Sequence, residues 1–300
     1  MMKPVIPYYG SMTDCKEVPI TFPPQHQDRQ PGLEYLMNPQ PIFDNPNYIG
    51  TGKLTGKIAI ITGGDSGIGR AAAVAFAKEG ADLVLVYLNE NQDAKTVQDA
   101  VQKIGRRCLL LPIDLRERNA GEQIVTRTLE TYGHINILIN NAGVQFPQPS
   151  LEAITDQQLE TTFNVNIESF FRLSRAVVPH LHSGDSIVNT TSVQANIGSS
   201  QLIDYASTKG AIVSFTRALA HNLADKGIRV NAVAPGPIWT PLQPASWSAD
   251  VVKTLGADTP MKRAGQPYEL APVYVLLASD DGSYITGQTI HVNGGQTMAS

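Results

Sequence analysis

Tyr205 and Lys209 stand four residues apart in Tyr205-Ala206-Ser207-Thr208-Lys209. On a helix that spacing puts both side chains on one face, an ammonium beside a phenol. A free tyrosine titrates near 10, so proton exchange near neutrality needs a fall of roughly three, about 4 kcal/mol. A neighbouring cation and a fixed hydrogen bond both favour the phenolate. In a chain with 10 tyrosines the pair alone is weak evidence. Ser192 strengthens it, because it closes the run Ile187-Val188-Asn189-Thr190-Thr191-Ser192. A hydroxyl there can hold a substrate oxygen from the other side. Asn166, in Phe163-Asn164-Val165-Asn166, interrupts an amphipathic helical stretch and is either satisfied locally or set for a purpose. This set suits proton transfer at a carbonyl or hydroxyl oxygen.

A second constellation precedes it. Thr62-Gly63-Gly64-Asp65-Ser66-Gly67-Ile68-Gly69-Arg70 follows a short β-branched run and opens a helix. Glycines allow close backbone approach, and a helix N-terminus offers unpaired N–H groups to a pyrophosphate. Dinucleotide sites often add an acid at the end of the second strand to bind the adenosine ribose. Here Tyr87 ends that strand, with Leu88, Asn89 and Glu90 after it. No acid repels a 2′-phosphate there, but Ser66 stands where a basic residue could grip one and Asp65 opposes it. NAD and NADP both stay open. Asp114, with Leu115 after the third strand, could accept from an adenine amino group or simply cap a turn. Asn140-Asn141-Ala142-Gly143 ends the fourth strand and could line the adenosine side or be an ordinary turn.

These residues need elements to position them. From Lys57 apolar runs alternate with helical stretches: strands over 57–62, 82–87, 107–112, 135–140, 185–191, 228–234 and 289–292, with helices over 69–79, 91–103, 121–132, 157–180 and 205–224 between them. Apolar strands without strict alternation, separated by helices, predict a parallel sheet covered on both faces. Right-handed crossovers make it a doubly wound α/β fold of the Rossmann-like kind, about seven strands in one domain over residues 53–300. The ligand crevice then lies beyond the carboxyl ends of the strands, where every motif above falls.

Residues 1–52 read differently. Nearly half of the chain's 20 prolines fall there, and no helical or strand period survives. An extended arm is expected, its aromatics (Tyr8, Tyr9, Phe22, Tyr35, Phe43, Tyr48) packed on the body or on a neighbouring subunit. The whole chain is 42% hydrophobic and 17% charged, with a formal charge of −4, which argues against nucleic acid or an anionic membrane as partner. No apolar stretch reaches membrane-spanning length. Two cysteines, Cys15 and Cys108, suit a reducing compartment, and a cytoplasmic location is expected. Cys108 reads as a buried small hydrophobe.

Taken in order, Thr62–Gly69, Asn140–Gly143, Asn166, Ser192, Tyr205–Lys209 and Pro235-Gly236 resemble the short-chain dehydrogenase/reductase family of the single-domain type. Pro235-Gly236-Pro237-Ile238-Trp239-Thr240-Pro241-Leu242 and the ending Thr286-Gly287-Gln288 to His291-Val292-Asn293-Gly294-Gly295 are similar to a bacterial subgroup with a proline-rich arm, some members of which are aldehyde reductases. The resemblance implies that Tyr205 gives a proton to a carbonyl oxygen in reduction and takes it back in oxidation. Ser192 would hold that oxygen. Lys209 would bind the nicotinamide ribose and lower the Tyr205 pKa, and Asn166 would anchor a water linking Lys209 to solvent. Pro235, Gly236, Ile238 and Thr240 would border the nicotinamide, with Thr190 nearby, and no metal would be needed. It also implies a homotetramer packed through the helices over 157–180 and 205–224, with the arm available to clasp a neighbour.

Substrate choice is expected in Gln194–Ile203 and in the lid-like Trp239–Arg263, with Gln194 and Trp239 as candidate contacts; Trp239 and Trp247 could each wall an apolar pocket or serve packing or an interface. No arginine cluster marks an anionic substrate, so a small aldehyde, ketone or secondary alcohol is expected. His180 and His182 read as a solvent-facing helix end. The rival reading is a catalytically silent dinucleotide sensor or scaffold, but such proteins tend to lose the Tyr or the Lys, and both stand here.

Overall fold

The computed structural model describes residues 11–14 and 16–298. Cys15 and the aromatics Tyr8 and Tyr9 lie outside them. The chain begins with a hairpin of β1 (Ser11–Asp14) and β2 (Lys16–Pro19). The body alternates β3 (Ile58–Thr62), α1 (Gly67–Lys78), β4 (Asp82–Tyr87), α2 (Asn91–Lys103), β5 (Cys108–Pro112), α3 (Ala120–Tyr132) and β6 (Ile137–Asn140). Then come α4 (Asp156–Phe163), α5 (Ser169–Val177), β7 (Ser186–Thr190), the short α6 (Gln194–Ile197), α7 (Ile203–Leu223) and β8 (Arg229–Pro235). The chain closes with α8 (Ala249–Lys253), α9 (Ala271–Ala278) and β9 (Thr289–Val292).

The seven body strands form one sheet in the order β5-β4-β3-β6-β7-β8-β9, parallel throughout. The order reverses between β3 and β6, so the loops leaving these two strands diverge and open a crevice. Burial explains the unbroken apolar runs. In β3, Ala59 and Ile61 pack towards α1, α2 and α9, whereas Ile60 packs towards α3, α5 and α7. Leu83 and Leu85 against Val84 and Val86 repeat the division in β4. A strand covered on both faces needs apolar residues at every position, which is the pattern its sequence carries. Cys108 is buried and unpaired, as read.

The stretch read as one helix over 157–180 is divided. Between α4 and α5 the residues Asn164–Glu168 form a π-helical turn, and Val178–His180 finish as a 3-10 turn containing Pro179. A π turn accommodates one extra residue, and such insertions concentrate where a side chain must be re-aimed. Asn166 sits inside it. The extended segment after the hairpin runs along its own chain's body. Phe22 is fully buried and stacks on Trp239 at 3.8 Å between centroids. Trp239 Nε1 donates to the Pro39 carbonyl at 2.9 Å, and Lys78 Nζ donates to Asp44 at 2.6 Å.

Candidate active site

Beyond the carboxyl ends of the strands lies a cavity of about 790 Å³. One end is built by the loop from β3 into α1. Thr62 Oγ1 accepts the N–H groups of Asn141 and Ala142 at 2.9 and 3.1 Å, and Asn141 Nδ2 donates back to the Thr62 carbonyl at 3.1 Å. These bonds lock the two diverging loops together at the reversal point. Gly69 belongs to the scaffold: a Cβ on it would stand 2.0 Å from the Gly63 carbonyl oxygen, so only glycine lets α1 approach so closely. Gly67 has φ of +52°, a left-handed conformation that glycine adopts without strain. Gly63, Asp65, Ser66, Gly67 and Ile68 line the cavity, followed by Tyr87, Asp114 and Leu115 and by Asn141, Ala142 and Gly143. Asp114 is not free, because Arg116 donates from Nε to Oδ1 at 3.0 Å and from Nη2 to Oδ2 at 2.6 Å and holds its carboxyl below the usual range.

At the other end stand Ser192, Tyr205 and Lys209, all buried and all lining the cavity. The Ser192 hydroxyl is placed to favour the ionised form of the Tyr205 phenol. Lys209 Nζ donates to the Thr190 carbonyl at 3.0 Å and lies 5.3 Å from the centroid of the Tyr205 ring. Burial pushes the Tyr205 phenol up to about 12, opposed by the Ser192 hydroxyl. Burial also draws Lys209 down to about 7. The geometry therefore assembles the set, while the protein by itself holds the phenol protonated.

Asn166 is fully buried and does not line the cavity. Its Oδ1 accepts from Val144 N at 2.8 Å, and its Nδ2 donates to Val144 O at 2.9 Å and Thr208 Oγ1 at 3.2 Å. It fastens the Asn141–Val144 loop to α7 one residue before Lys209. Asp204, which sequence reasoning passed over, does similar work. Its Oδ2 accepts from Thr162 Oγ1 at 2.8 Å and Gln158 Nε2 at 3.0 Å, tying α4 to the turn that carries Tyr205. A buried acid beside the tyrosine at a helix start was the available signal.

Thr190, Pro235, Gly236, Ile238 and Thr240 line the wall between the two ends. Gln194 lines the substrate end and keeps a buried Oε1 with no partner among the described residues. Trp239 does not touch the cavity: it is fully buried under Phe22, because the arm covers its other face. The tryptophan in the wall is Trp247, with Gln145, Phe146 and Leu202. Asn89 is likewise outside the wall and bonds Arg29 instead. Glu90 lines the cavity, as do Gln30, Pro31 and Gly32 of the arm, and none of these four was anticipated.

The residues present fit a dinucleotide. The cleft runs from a glycine cradle at a helix N-terminus to the Tyr205 hydroxyl, and its lining residues Gln30, Gln194 and Gln296 each keep a buried amide oxygen with no partner among the described residues. No helix of the described residues is long and apolar enough to cross a membrane.

Comparison with known proteins agrees. A family model described as enoyl-(acyl carrier protein) reductase matches residues 63–297. The uncharacterized oxidoreductase YhdF of Bacillus subtilis is 58% identical over 277 residues, covering 92% of this chain and 96% of that protein. The chloroplastic NADPH-dependent aldehyde reductase 1 of Arabidopsis thaliana is 47% identical over 91% of this chain and 98% of its own length. Among solved structures, a short-chain dehydrogenase from Burkholderia cenocepacia in complex with NADP superposes with a TM-score of 0.76 at 31% identity, over 81% of this chain and 98% of that one. A 3-ketoacyl-(acyl-carrier-protein) reductase from Brucella melitensis complexed with NADH gives 0.74 at 32%, over 82% and 100%. With its parallel seven-stranded sheet and its glycine cradle facing Ser192, Tyr205 and Lys209, the chain belongs to the short-chain dehydrogenase/reductase family and is an NAD(P)-dependent oxidoreductase.

Proposed function

We propose that the chain interconverts a small uncharged aldehyde or ketone and its alcohol, with Tyr205 as the proton donor and acceptor. The observation that carries this reading is that Ser192, Tyr205 and Lys209 are all buried and line one end of the cavity together, with Ser192 placed to favour the ionised phenol. A carbonyl oxygen placed against both hydroxyls receives two donors, and one of them can surrender its proton. A bound nicotinamide supplies or accepts the hydride. Lys209, held by the Thr190 carbonyl, meets the ribose hydroxyls and draws the proton relay towards Asn166 and Gly143, whose missing Cβ would stand 3.4 Å from Asn166 Oδ1 and 3.6 Å from Lys209 Nζ. Asn166 acts here as a positioning residue.

An uncharged substrate follows from the walls. The substrate end presents Gln145, Gln194, Phe146, Leu202 and Trp247, and the cations lining the cavity are Lys209 and the paired Arg116. Beyond Lys209, which is held by the Thr190 carbonyl, a carboxylate or phosphate substrate would meet no cation near Tyr205 among the described residues that line the cavity. The test is a panel of aldehydes, ketones and alcohols assayed with NADH and NADPH by absorbance of the reduced cofactor. Turnover of charged acids in preference to uncharged carbonyls would overturn the substrate reading.

The chain is further proposed to act as a homotetramer in the cytoplasm, as a two-part molecule with the arm over 1–52 and the catalytic domain over 53–300. In support, Phe171 of α5 is 54% exposed and lies 4.2 Å from the Phe215 ring of α7, an apolar face on the two helices expected to pair. Light scattering on the purified protein checks the assembly.

A further inference from the structure

The N-terminal arm crosses the adenosine end of the cleft. Gly32 lies so close to the loop after β8 that a Cβ would stand 2.5 Å from the Pro241 carbonyl oxygen. Two residues on, Glu34 Oε2 accepts from Gly67 N at 2.6 Å, and its other oxygen pairs with Arg70 at 2.6 Å. The main chain of Glu34 and Tyr35 is held by Asp93 of α2 at 2.7 and 3.0 Å. On the other flank Gln30 Nε2 donates to Gln145 O at 2.6 Å, leaving its buried Oε1 without a partner. The arm is thus bolted to the phosphate loop, to α2 and to the loop after β6. Gln30, Pro31 and Gly32 form part of the wall.

Beside this wall the charges are unequal. Asp65, Glu90 and Asp114 line the cavity as carboxylates. The nearby cations are engaged: Arg116 by Asp114, Arg70 by Glu34, and Arg29 of the arm by Glu90 at 3.3 Å and by the Asn89 side chain. Glu90 is 1% exposed, and its second oxygen accepts the N–H groups of Leu88 and Asn89 at 3.2 and 3.1 Å. Burial and the Glu90 charge raise Asp65 to about 7. Another anion pressed against this pair would be disfavoured for the same reasons. A ribose hydroxyl has the opposite fit, since carboxylates accept from it. The acid missing from the end of β4 is supplied instead by the glycine loop and by the third residue after the strand.

We propose that the arm forms the adenosine-side wall of the dinucleotide site, and that Asp65 and Glu90, the latter clasped by Arg29 of the arm, select a cofactor with a free 2′-hydroxyl over its 2′-phosphorylated counterpart. The proposal rests on reading the cleft as a dinucleotide site. It adds a preference for NAD and names an unexpected set of residues for it.

Calorimetric titration of the full chain with ADP-ribose and with 2′-phospho-ADP-ribose tests it without turnover. ADP-ribose should bind at least about tenfold more tightly. Glu90→Gln, which keeps size and removes charge, should narrow that ratio about fivefold or more, and Asp65→Asn should act in the same direction. Arg29→Ala should weaken both ligands by loosening the clasp. Equal binding of the two compounds, or tighter binding of the phosphorylated one, would overturn the selectivity and leave the dinucleotide reading standing. A ratio unmoved by both Glu90→Gln and Asp65→Asn would overturn the assignment of these residues. Binding of neither compound by folded protein would overturn the dinucleotide reading, and the proposal with it.

Discussion

Lys209 donates from Nζ to the carbonyl oxygen of Thr190 at 3.0 Å, so the ammonium is anchored to the last residue of β7. The next residue completes the tie: Thr191 Oγ1 donates to the Lys209 carbonyl at 2.7 Å. Side chain and main chain of α7 are both fastened at the strand end, one and two residues before Ser192. The buried amide pair of Asn140 and Asn189, which stand opposite each other on β6 and β7, extends the lattice at 2.9 Å. Asn189 reaches Thr216 of α7 and Asn140 reaches Ser174 of α5. Such a buried polar network fixes one geometry at the cost of tolerance to change, although Asn140 Oδ1 itself has no partner among the described residues. The proton-transfer groups therefore sit on rigid supports.

Tyr205→Phe removes the transferable proton and keeps the ring. Turnover should fall by about 10²–10⁴-fold, the usual worth of a positioned general acid or base. Affinity for the dinucleotide should change by less than about threefold, since the phenol oxygen makes one contact among many. Stopped-flow turnover and fluorescence titration on one preparation separate the two. Wild-type activity in the variant would refute the assignment.

The direction of the pH dependence follows from burial. A phenol pushed up to about 12 is protonated throughout the neutral range, ready to donate. As far as the phenol decides it, carbonyl reduction should vary little with pH between about 6 and 8, and a step near 7 in that range would report Lys209, drawn down to about 7 by burial. Alcohol oxidation needs the phenolate, so its rate should climb with pH, by up to about tenfold per unit, until the phenol titrates. Bound cofactor shifts the midpoint but not the sign. Initial rates in both directions over a pH series make the comparison, and an oxidation rate that falls as pH rises would contradict it.

Asn166→Leu strips both partners from the Val144 main chain and leaves a buried N–H and C=O unpaired. Each such group costs about 1–3 kcal/mol, so a loss of roughly 2–4 kcal/mol is expected in urea unfolding. The released Asn141–Val144 loop should also weaken dinucleotide binding. A loss below about 0.5 kcal/mol would show that Asn166 is not the fastening of this loop.

Much of this arrangement was legible because both sheet faces are covered. Ile58–Ile61 and Leu83–Val86 are apolar at every position, and the limits of the two strands were readable to within a residue. The π turn at Asn164–Glu168 was not, since one extra residue hardly disturbs a helical hydrophobic period over so short a length. Of the two tryptophans read as possible pocket walls, Trp247 lines the cavity and Trp239 does not: they look alike in sequence, and only Phe22, over two hundred residues away, decides which of them is covered. Glu34 and Glu90 carry no local mark either. An acid in a proline-rich arm or at a helix entry is ordinarily solvated; here Glu90 lines the cleft beside the arm's Arg29, and Glu34, outside the wall, caps Gly67.

Phe22→Ala tests how that arm is held. The ring is fully buried between Trp239 and its neighbours, and truncating a buried phenylalanine costs about 3–5 kcal/mol when the cavity cannot collapse. The arm has an alternative that a core strand lacks, because it can detach while the sheet stays intact. The penalty should therefore appear first as local opening, which is bounded by the energy holding the arm rather than by global stability. Limited proteolysis should cut the variant within about 20–40 while the sheet-forming body resists, and Trp239 emission should shift to longer wavelength as Phe22 is lost from its face. Hydrogen exchange should rise at the Gly67 amide too, since Glu34 caps it and departs with the arm. Proteolytic resistance equal to wild type would mean that the bonds of Glu34, Asp93 and Gln30 hold the arm without the aromatic stack.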